Sequence, residues 1–175
     1  MTIRHTLTFT NNNGELMAKS ITDPHDGLLS LQQALDLNLV HPDRCKLHPE
    51  MSVIYDTPEG NWRLTYAFIE DGKVKASAVF VISDDLNGIK CFGIGYSVAE
   101  SFRRMGLATE LVEKAIKELQ YGLKDRISTF YVEALIGESN IASRKVAEKT
   151  LTSSGEPFTE GISGLPAFRY VKLIE

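Results

Sequence analysis

At 175 residues, 43% hydrophobic and 24% charged, the chain has the length of one domain, for which about 150 residues is usual, and the composition of a globular protein. That excludes disordered, collagen-like and coiled-coil classes. The net charge of -4 offers no positive field to hold a phosphate backbone, which argues against nucleic acid as a partner. Cys45 and Cys91 match no zinc or thioredoxin spacing, and no run approaches the roughly 18 apolar residues of a membrane span, so a reducing, cytoplasmic setting is expected.

In chain order, Ile3 to Phe9 alternates as a strand, and Asn11 to Gly14 breaks it as a turn. Asp23-Pro24 then caps an amphipathic helix whose apolar positions run from Leu28 to Leu39. The segment from His41 to Gly60, interrupted by Pro42, Pro49 and Pro58, reads as connecting structure, too apolar at Met51, Val53, Ile54 and Tyr55 for a solvated linker. Trp62 to Ile69, Val74 to Ile82 and Ile89 to Val98 read as a three-stranded antiparallel meander, turned at Asp71-Gly72 and at Asp84 to Gly88. Gly106 to Tyr121 has helical spacing at Leu107, Leu111, Ala115, Ile116 and Leu119, with Gly122 placed to stop it. Lys114, Lys117, Lys124 and Arg126 alternate with Glu110, Glu113, Glu118 and Asp125, the pattern of a solvated helix face. Ile127 to Ile136 is a strand, Asn140 to Thr150 a short helix, Ser153 to Pro157 a chain break and Ala167 to Ile174 a last strand. The order predicts an α/β (α+β) fold with a mixed sheet of about six or seven strands and flanking helices.

The stretch from Tyr96 to Thr109 carries the chemistry. A strand turns through a basic, glycine-containing loop into a helix whose first amides lack intrahelical partners and sit at the positive end of the helix dipole. A pyrophosphate can take several of these donors at once, with Arg103 and Arg104 adding charge and Gly106 and Ala108 giving room. Neither the P-loop nor the Gly-x-Gly-x-x-Gly fingerprint is present, so nucleotide hydrolysis and hydride transfer lose ground.

Arg103-Arg104-Met105-Gly106-Leu107-Ala108 resembles the Arg/Gln-x-x-Gly-x-Gly/Ala signature of the GNAT superfamily of acetyl-CoA-dependent N-acetyltransferases. The flanking Val98 and Phe102 agree with it. Downstream, Asn140-Ile141-Ala142-Ser143 looks like the family's second motif. The matches span residues 62 to 150, and the element order extends the likeness to one N-acetyltransferase domain over 1–175.

The resemblance implies acetyl-CoA as cosubstrate, its pantetheine arm lying between two splayed central strands. The N–H near Val98 would face the thioester oxygen as a preorganised oxyanion donor. Arg103, Arg104, Met105, Gly106, Leu107 and Ala108 would hold the pyrophosphate. Asn140 would bind the pantetheine arm, and Ser143 would hydrogen-bond the cofactor or approach its sulfur. A primary amine, of a small molecule or a protein N-terminus, would attack the thioester directly in a ternary complex. Glu133 is the candidate base, because its spacing before the second motif resembles the branch that acetylates ribosomal-protein N-termini; the competing reading is a solvated or salt-bridged strand residue. Tyr96 is a weaker candidate for base.

Two departures stand out. The family's tyrosine seven residues after the motif asparagine is Ala147 here, and its Gly-Phe after the second helix is replaced by Leu151 to Gly155. A non-catalytic acyl-CoA or small-ligand binding module with this fold is therefore the alternative. His5, His25, His41 and His48 have no metal-ligand spacing, and no metal is expected; His41 or His48 could line the acceptor pocket. Neither Ser101 nor Ser143 sits in a Gly-x-Ser-x-Gly elbow, which argues against an acyl-serine. A monomer or homodimer is expected, the dimer suggested by exposed sheet edges.

Overall fold

The computed structural model describes residues 23–161 and 163–175, together with the backbone of β1 (Phe9–Thr10) and β2 (Leu16–Met17), which pair antiparallel. Most of the strand expected over residues 3 to 9, and the turn expected over 11 to 14, lie outside the described residues. From Asp23 the chain forms α1 (Pro24–Asp36), β3 (Asp43–Arg44), β4 (Ser52–Asp56), β5 (Arg63–Glu70), β6 (Lys73–Leu86), β7 (Ile89–Val98), α2 (Leu107–Leu123), β8 (Phe130–Gly137), α3 (Ile141–Thr150), β9 (Glu156–Thr159) and β10 (Pro166–Ile174).

Eight strands make one mixed sheet in the order β3-β4-β5-β6-β7-β8-β10-β9. The count exceeds the expected six or seven because β3 and β4 fall in the segment read as connecting structure and β9 in the segment read as a break. β4 pairs with β5, Val53 opposite Tyr66, although the prolines around it hide a strand signal. Pro157 is tolerated in β9 because that strand is an edge of the sheet.

The meander forms as the turn chemistry requires. Asp71 and Gly72 have φ of 50° and 73°, and Asn87 and Gly88 have 52° and 77°. Both hairpins are thus two-residue turns with positive φ at both positions, a geometry that matches strand twist. β6 runs on to Leu86, through an irregularity between Ser83 and Leu86, so the second turn is shorter than the five residues expected.

Asp23 caps α1 by accepting the His25 N–H at 2.9 Å, and Pro24 needs no donor in the first turn. The helix stops at Asp36, short of Leu39, because Asn38 turns left-handed at φ 56° and the Leu39 N–H reaches back to the Ala34 carbonyl. In α2, Gly122 does not end the helix as expected. The turn closes one residue later, where the Arg126 and Ile127 amides both bond the Leu123 carbonyl.

The alternation of the central strands decides the layers. Ala78 and Phe80 of β6, Phe92, Ile94 and Tyr96 of β7, and Phe130, Val132, Ala134 and Ile136 of β8 form one buried cluster. With them are Leu111, Val112, Ala115, Ile116 and Leu119 of α2 and Ala147 of α3. Each fully buried Leu or Phe contributes about 1.5–3 kcal/mol relative to exposure. The opposite face is covered by α1, with Leu28 against Ala67 and Val74.

Glu118, expected on the solvated face, is only 5% exposed. It stands seven residues after Leu111, on the buried stripe of α2. Its carboxylate accepts the backbone N–H groups of Lys46 (3.2 Å), Leu47 (2.7 Å) and His48 (2.6 Å), and lies 3.0 Å from His48 Nδ1. This clamp fixes the loop between β3 and β4. His48, considered for the acceptor pocket, is committed to it, and His41 is exposed away from any described partner.

Gly155 has a steric reason: a Cβ there would sit 2.7 Å from Cζ of the buried Tyr170. The stretch replacing the family's Gly-Phe therefore keeps a glycine, backed by an aromatic from β10.

Both cysteines are buried and free. Burial first, then Glu118 and Glu50, pushes the Cys45 thiol from 9.0 up to about 12. Burial, then Glu133, does the same at Cys91. The folded state thus holds these protons more tightly than the unfolded state. The two states titrate alike below pH 9, and stability falls as pH rises from about 9 toward 12, by up to about 1.4 kcal/mol per pH unit for each thiol. A Cys45→Ala/Cys91→Ala variant should show a flatter alkaline decline in denaturant midpoint than the parent; an identical decline would show that the thiols are not its source.

Candidate active site

The sheet contains a fork. β7 and β8 are the parallel pair at its centre, yet their ladder comprises only Cys91↔Tyr131, Phe92↔Val132 and Gly93↔Glu133. β7 continues to Val98 and β8 to Gly137 without further pairing. The direction of the unpaired backbone follows from the neighbouring ladders. The Ala99 N–H bonds the Lys75 carbonyl, and Val98 is opposite Ala76, so Val98 and Tyr96 are the non-hydrogen-bonded positions toward β6. Their N–H and C=O groups consequently face the fork. On the other side, the Glu138 N–H bonds the Pro166 carbonyl while Gly137 is opposite Ala167. By the same reasoning Leu135 and Gly137 direct their backbone groups into the fork. Sequence reasoning selected Val98 but not the Tyr96 amide, which the same two-residue period would have found.

At the open end of the fork the chain enters the basic loop. A 3₁₀ turn spans residues 100–102, and the left-handed Arg104 (φ 64°) and Gly106 (φ 79°) then lead the chain into α2. The first helical bond runs from the Glu110 N–H to the Gly106 carbonyl. Among the described residues no acceptor meets the amides of residues 104–109, and no side chain caps the helix. Nothing lies within 4 Å of where a Gly106 Cβ would be. Arg103, Arg104 and Met105 are exposed around this opening, and Arg103 Nε donates to the Val98 carbonyl at 3.3 Å. The free amides of residues 104–109 and the side chains of Arg103 and Arg104 therefore form one contiguous cradle over residues 103–108, suited to a polyanion.

On the face covered by α2 and α3 the fork is bridged. The Tyr96 hydroxyl donates to the Ser143 carbonyl at 2.6 Å. Burial first, with Tyr170 adding, pushes the Tyr96 phenol far above its ordinary value, so it stays protonated and is no base. Asn140 is the N-cap of α3, its Oδ1 accepting the Ser143 N–H at 3.1 Å. The Asn-x-x-Ser spacing is thus first a capping geometry, which leaves the Asn140 Nδ2 and Ser143 Oγ for a ligand. Arg144 ties this helix start to β10: its Nε donates to the Tyr170 hydroxyl at 3.2 Å, and its guanidinium lies 3.9 Å from the Phe168 ring centre.

Glu133 is at the foot of the fork, on the opposite face from Tyr96. It is 6% exposed. Ser83 Oγ donates to Oε1, and Arg169 reaches Oε2 through Nε at 2.8 Å and through its terminal nitrogen at 2.7 Å. Both oxygens are engaged, so the salt-bridged reading describes this residue. Among the described residues no group of three or more His, Cys, Asp or Glu could hold a metal ion, and no described helix is long and apolar enough to cross a membrane.

The family model described as acetyltransferase (GNAT) family matches residues 31–151, well over half of the chain. The chain belongs to that family. Acetyl-CoA is the standard cosubstrate of GNAT enzymes. Among solved structures, the fold is similar to RimJ from Mycobacterium smegmatis in complex with CoA-disulfide (17% identity, 66% of this chain and 54% of that one, TM-score 0.52). It is also similar to a GNAT-family acetyltransferase from Streptococcus pneumoniae (14% identity, 88% and 96%, TM-score 0.50). The ribosomal L7/L12 α-N-protein acetyltransferase RimL in complex with coenzyme A is 19% identical over 64% of this chain and 62% of that one, with a TM-score of 0.48. The chain thus covers less than two thirds of the length of RimL and of RimJ. No protein of curated function matches the sequence significantly.

Proposed function

We propose that this GNAT domain, read as spanning 1–175 in the cytoplasm, is an N-acetyltransferase. It moves an acetyl group from acetyl-CoA to a primary amine in a ternary complex. The observation that carries the reading is the fork: its ladder stops at Gly93/Glu133, two amides of β7 face the space beyond, and the polyanion cradle of 103–108 lies at its open end.

In this arrangement Arg103 to Ala108 bind the pyrophosphate through the amides of 104–109, with Arg103 and Arg104 on the phosphates. Val98 and Tyr96 hydrogen-bond the amide-bearing arm and the thioester oxygen through backbone groups already fixed by the β6 ladder, so the donors need no reorganisation as charge develops. Asn140 Nδ2 and Ser143 Oγ line the same arm near the sulfur. Glu133 and Arg169 hold the foot of the fork rigid and polar on the acceptor's side. The amine loses a proton and attacks the thioester carbonyl carbon; the C–N bond forms, the C–S bond breaks, and coenzyme A leaves as a thiolate that takes up a proton. The likeness to ribosomal-protein acetyltransferases favours protein N-termini as acceptors.

A second reading, a sensor that binds acyl-CoA without turnover, is favoured by one observation: at the position of the family's acidic tyrosine stands the fully buried Ala147. Calorimetric titration with acetyl-CoA, followed by a free-thiol assay against Ala-, Ser- and Met-starting peptides, spermidine and an aminoglycoside, separates the two. Binding with thiol release supports the transferase, binding alone the sensor, and no binding contradicts both.

A further inference from the structure

The face of the fork by which an amine arrives follows from the packing. The face under α2 and α3 is closed by the buried Tyr96 ring, its hydroxyl held on Ser143. An amine attacking a thioester aligned along Tyr96 and Val98 must therefore come from the other face, and there the first turn of α1 overhangs β7. Gly95 permits this overhang: a Cβ there would lie 3.1 Å from Pro24 Cγ. The docking of Pro24 delivers His25, whose Nδ1 is 3.2 Å from the Ser97 hydroxyl. Ser97 sits between Tyr96 and Val98, so its Cα is about 3.8 Å from theirs, and its side chain points to the face opposite Tyr96.

A second observation falls at the same place. Ser77 is directly opposite Ser97 in the β6–β7 ladder, so the two side chains share a face. Ser77 is 2% exposed, and its hydroxyl has no hydrogen-bond partner among the described residues. A buried hydroxyl left unpaired costs about 1–3 kcal/mol. Glu133, the candidate base expected from the sequence, is engaged at both oxygens, by Ser83 and by Arg169.

We propose that His25, oriented by Ser97, is the group that takes the proton from the acceptor amine. The inference rests on the acetyltransferase reading of the fork. With Nδ1 as the donor to Ser97 Oγ, Nε2 is left with a free lone pair. The ammonium gives its proton to Nε2, and the freed electron pair of the amine nitrogen bonds to the carbonyl carbon. The C–S bond then breaks as the nitrogen sheds its second proton, which ends on the departing thiolate, and the imidazolium returns its own proton to solvent. His25 is thus a catalytic residue, Ser97 is a positioning residue, and α1 forms one wall of the acceptor site.

The test compares two acceptors in the full chain: the amine of highest turnover in the panel above, and hydroxylamine, which is already unprotonated at neutral pH and needs no base. His25→Gln retains a hydrogen-bonding group for Ser97 but cannot accept a proton. The expected result is a loss of about 100-fold in kcat with the panel amine, less than about threefold with hydroxylamine, and an unchanged Kd for acetyl-CoA. Ser97→Ala should give a smaller loss in the same direction. Equal losses with both acceptors, no loss in His25→Gln, or full rescue by glutamine would assign His25 a structural role and overturn the proposal. So would a wild-type protein that binds acetyl-CoA but acetylates hydroxylamine alone. Failure of the wild type to bind acetyl-CoA would instead overturn the underlying reading, and the proposal with it.

Discussion

Gly106→Val should weaken acetyl-CoA binding at least about 100-fold, the equivalent of about 2.8 kcal/mol. Gly106 holds φ at 79°, where a β-branched residue is strained by about 1–3 kcal/mol. Its Cβ position is open, so the added side chain meets no protein atom and would stand in the cradle itself. Relief of the strain would also turn the amides of residues 105–108 away from a common centre. Glu133→Gln, by contrast, leaves the cradle intact and should lower turnover while changing the Kd little. Titration calorimetry on both variants checks this; similar affinities for Gly106→Val and the parent would remove the loop from the binding site.

Glu118→Ala should cost about 3–5 kcal/mol of stability. The substitution strands three backbone N–H donors of the loop from Lys46 to His48 and removes the His48 contact. Glu118→Gln should recover part of the loss, since one oxygen can still accept from Leu47 and His48 while the new NH₂ opposes the Lys46 amide. The denaturant midpoint reports both. A loss under about 1 kcal/mol for Glu118→Ala would mean that water replaces the carboxylate and that the loop is not anchored by it.

The contrast between these residues shows what could be read in the sequence. Gly106 announced itself, because a glycine between a basic loop and an amphipathic run has few other uses, and the motif around it fits one family. The meander was equally legible: Asp71-Gly72 is a pair that a two-residue hairpin demands, and the second turn was placed, though over five residues where Asn87-Gly88 alone makes it. Glu118 was not, since its charge suggested solvent while its place seven residues after Leu111 suggested burial; the partners that decide the matter are backbone amides about 70 residues earlier. β4 and β9 were missed for a related reason. Their pairing comes from β5 and β10, and the prolines beside or within them mask it. Glu133 shows the limit for site residues: its position on β8 could be assigned, but Arg169 and Ser83 reach it from β10 and β6, and no spacing in the chain foretells that.

The proposed activity requires acetyl-CoA to lie in the fork with its phosphates at the start of α2. Amide-resolved hydrogen exchange by NMR, with and without saturating acetyl-CoA, tests this most directly. The prediction is that the amides of Tyr96 and Val98 and those of residues 104–109, which have no acceptor among the described residues, gain protection together, whereas Ser97 and Ala99, bonded to β6, change little. Exchange unaltered at these amides, or protection confined to another surface, would contradict it.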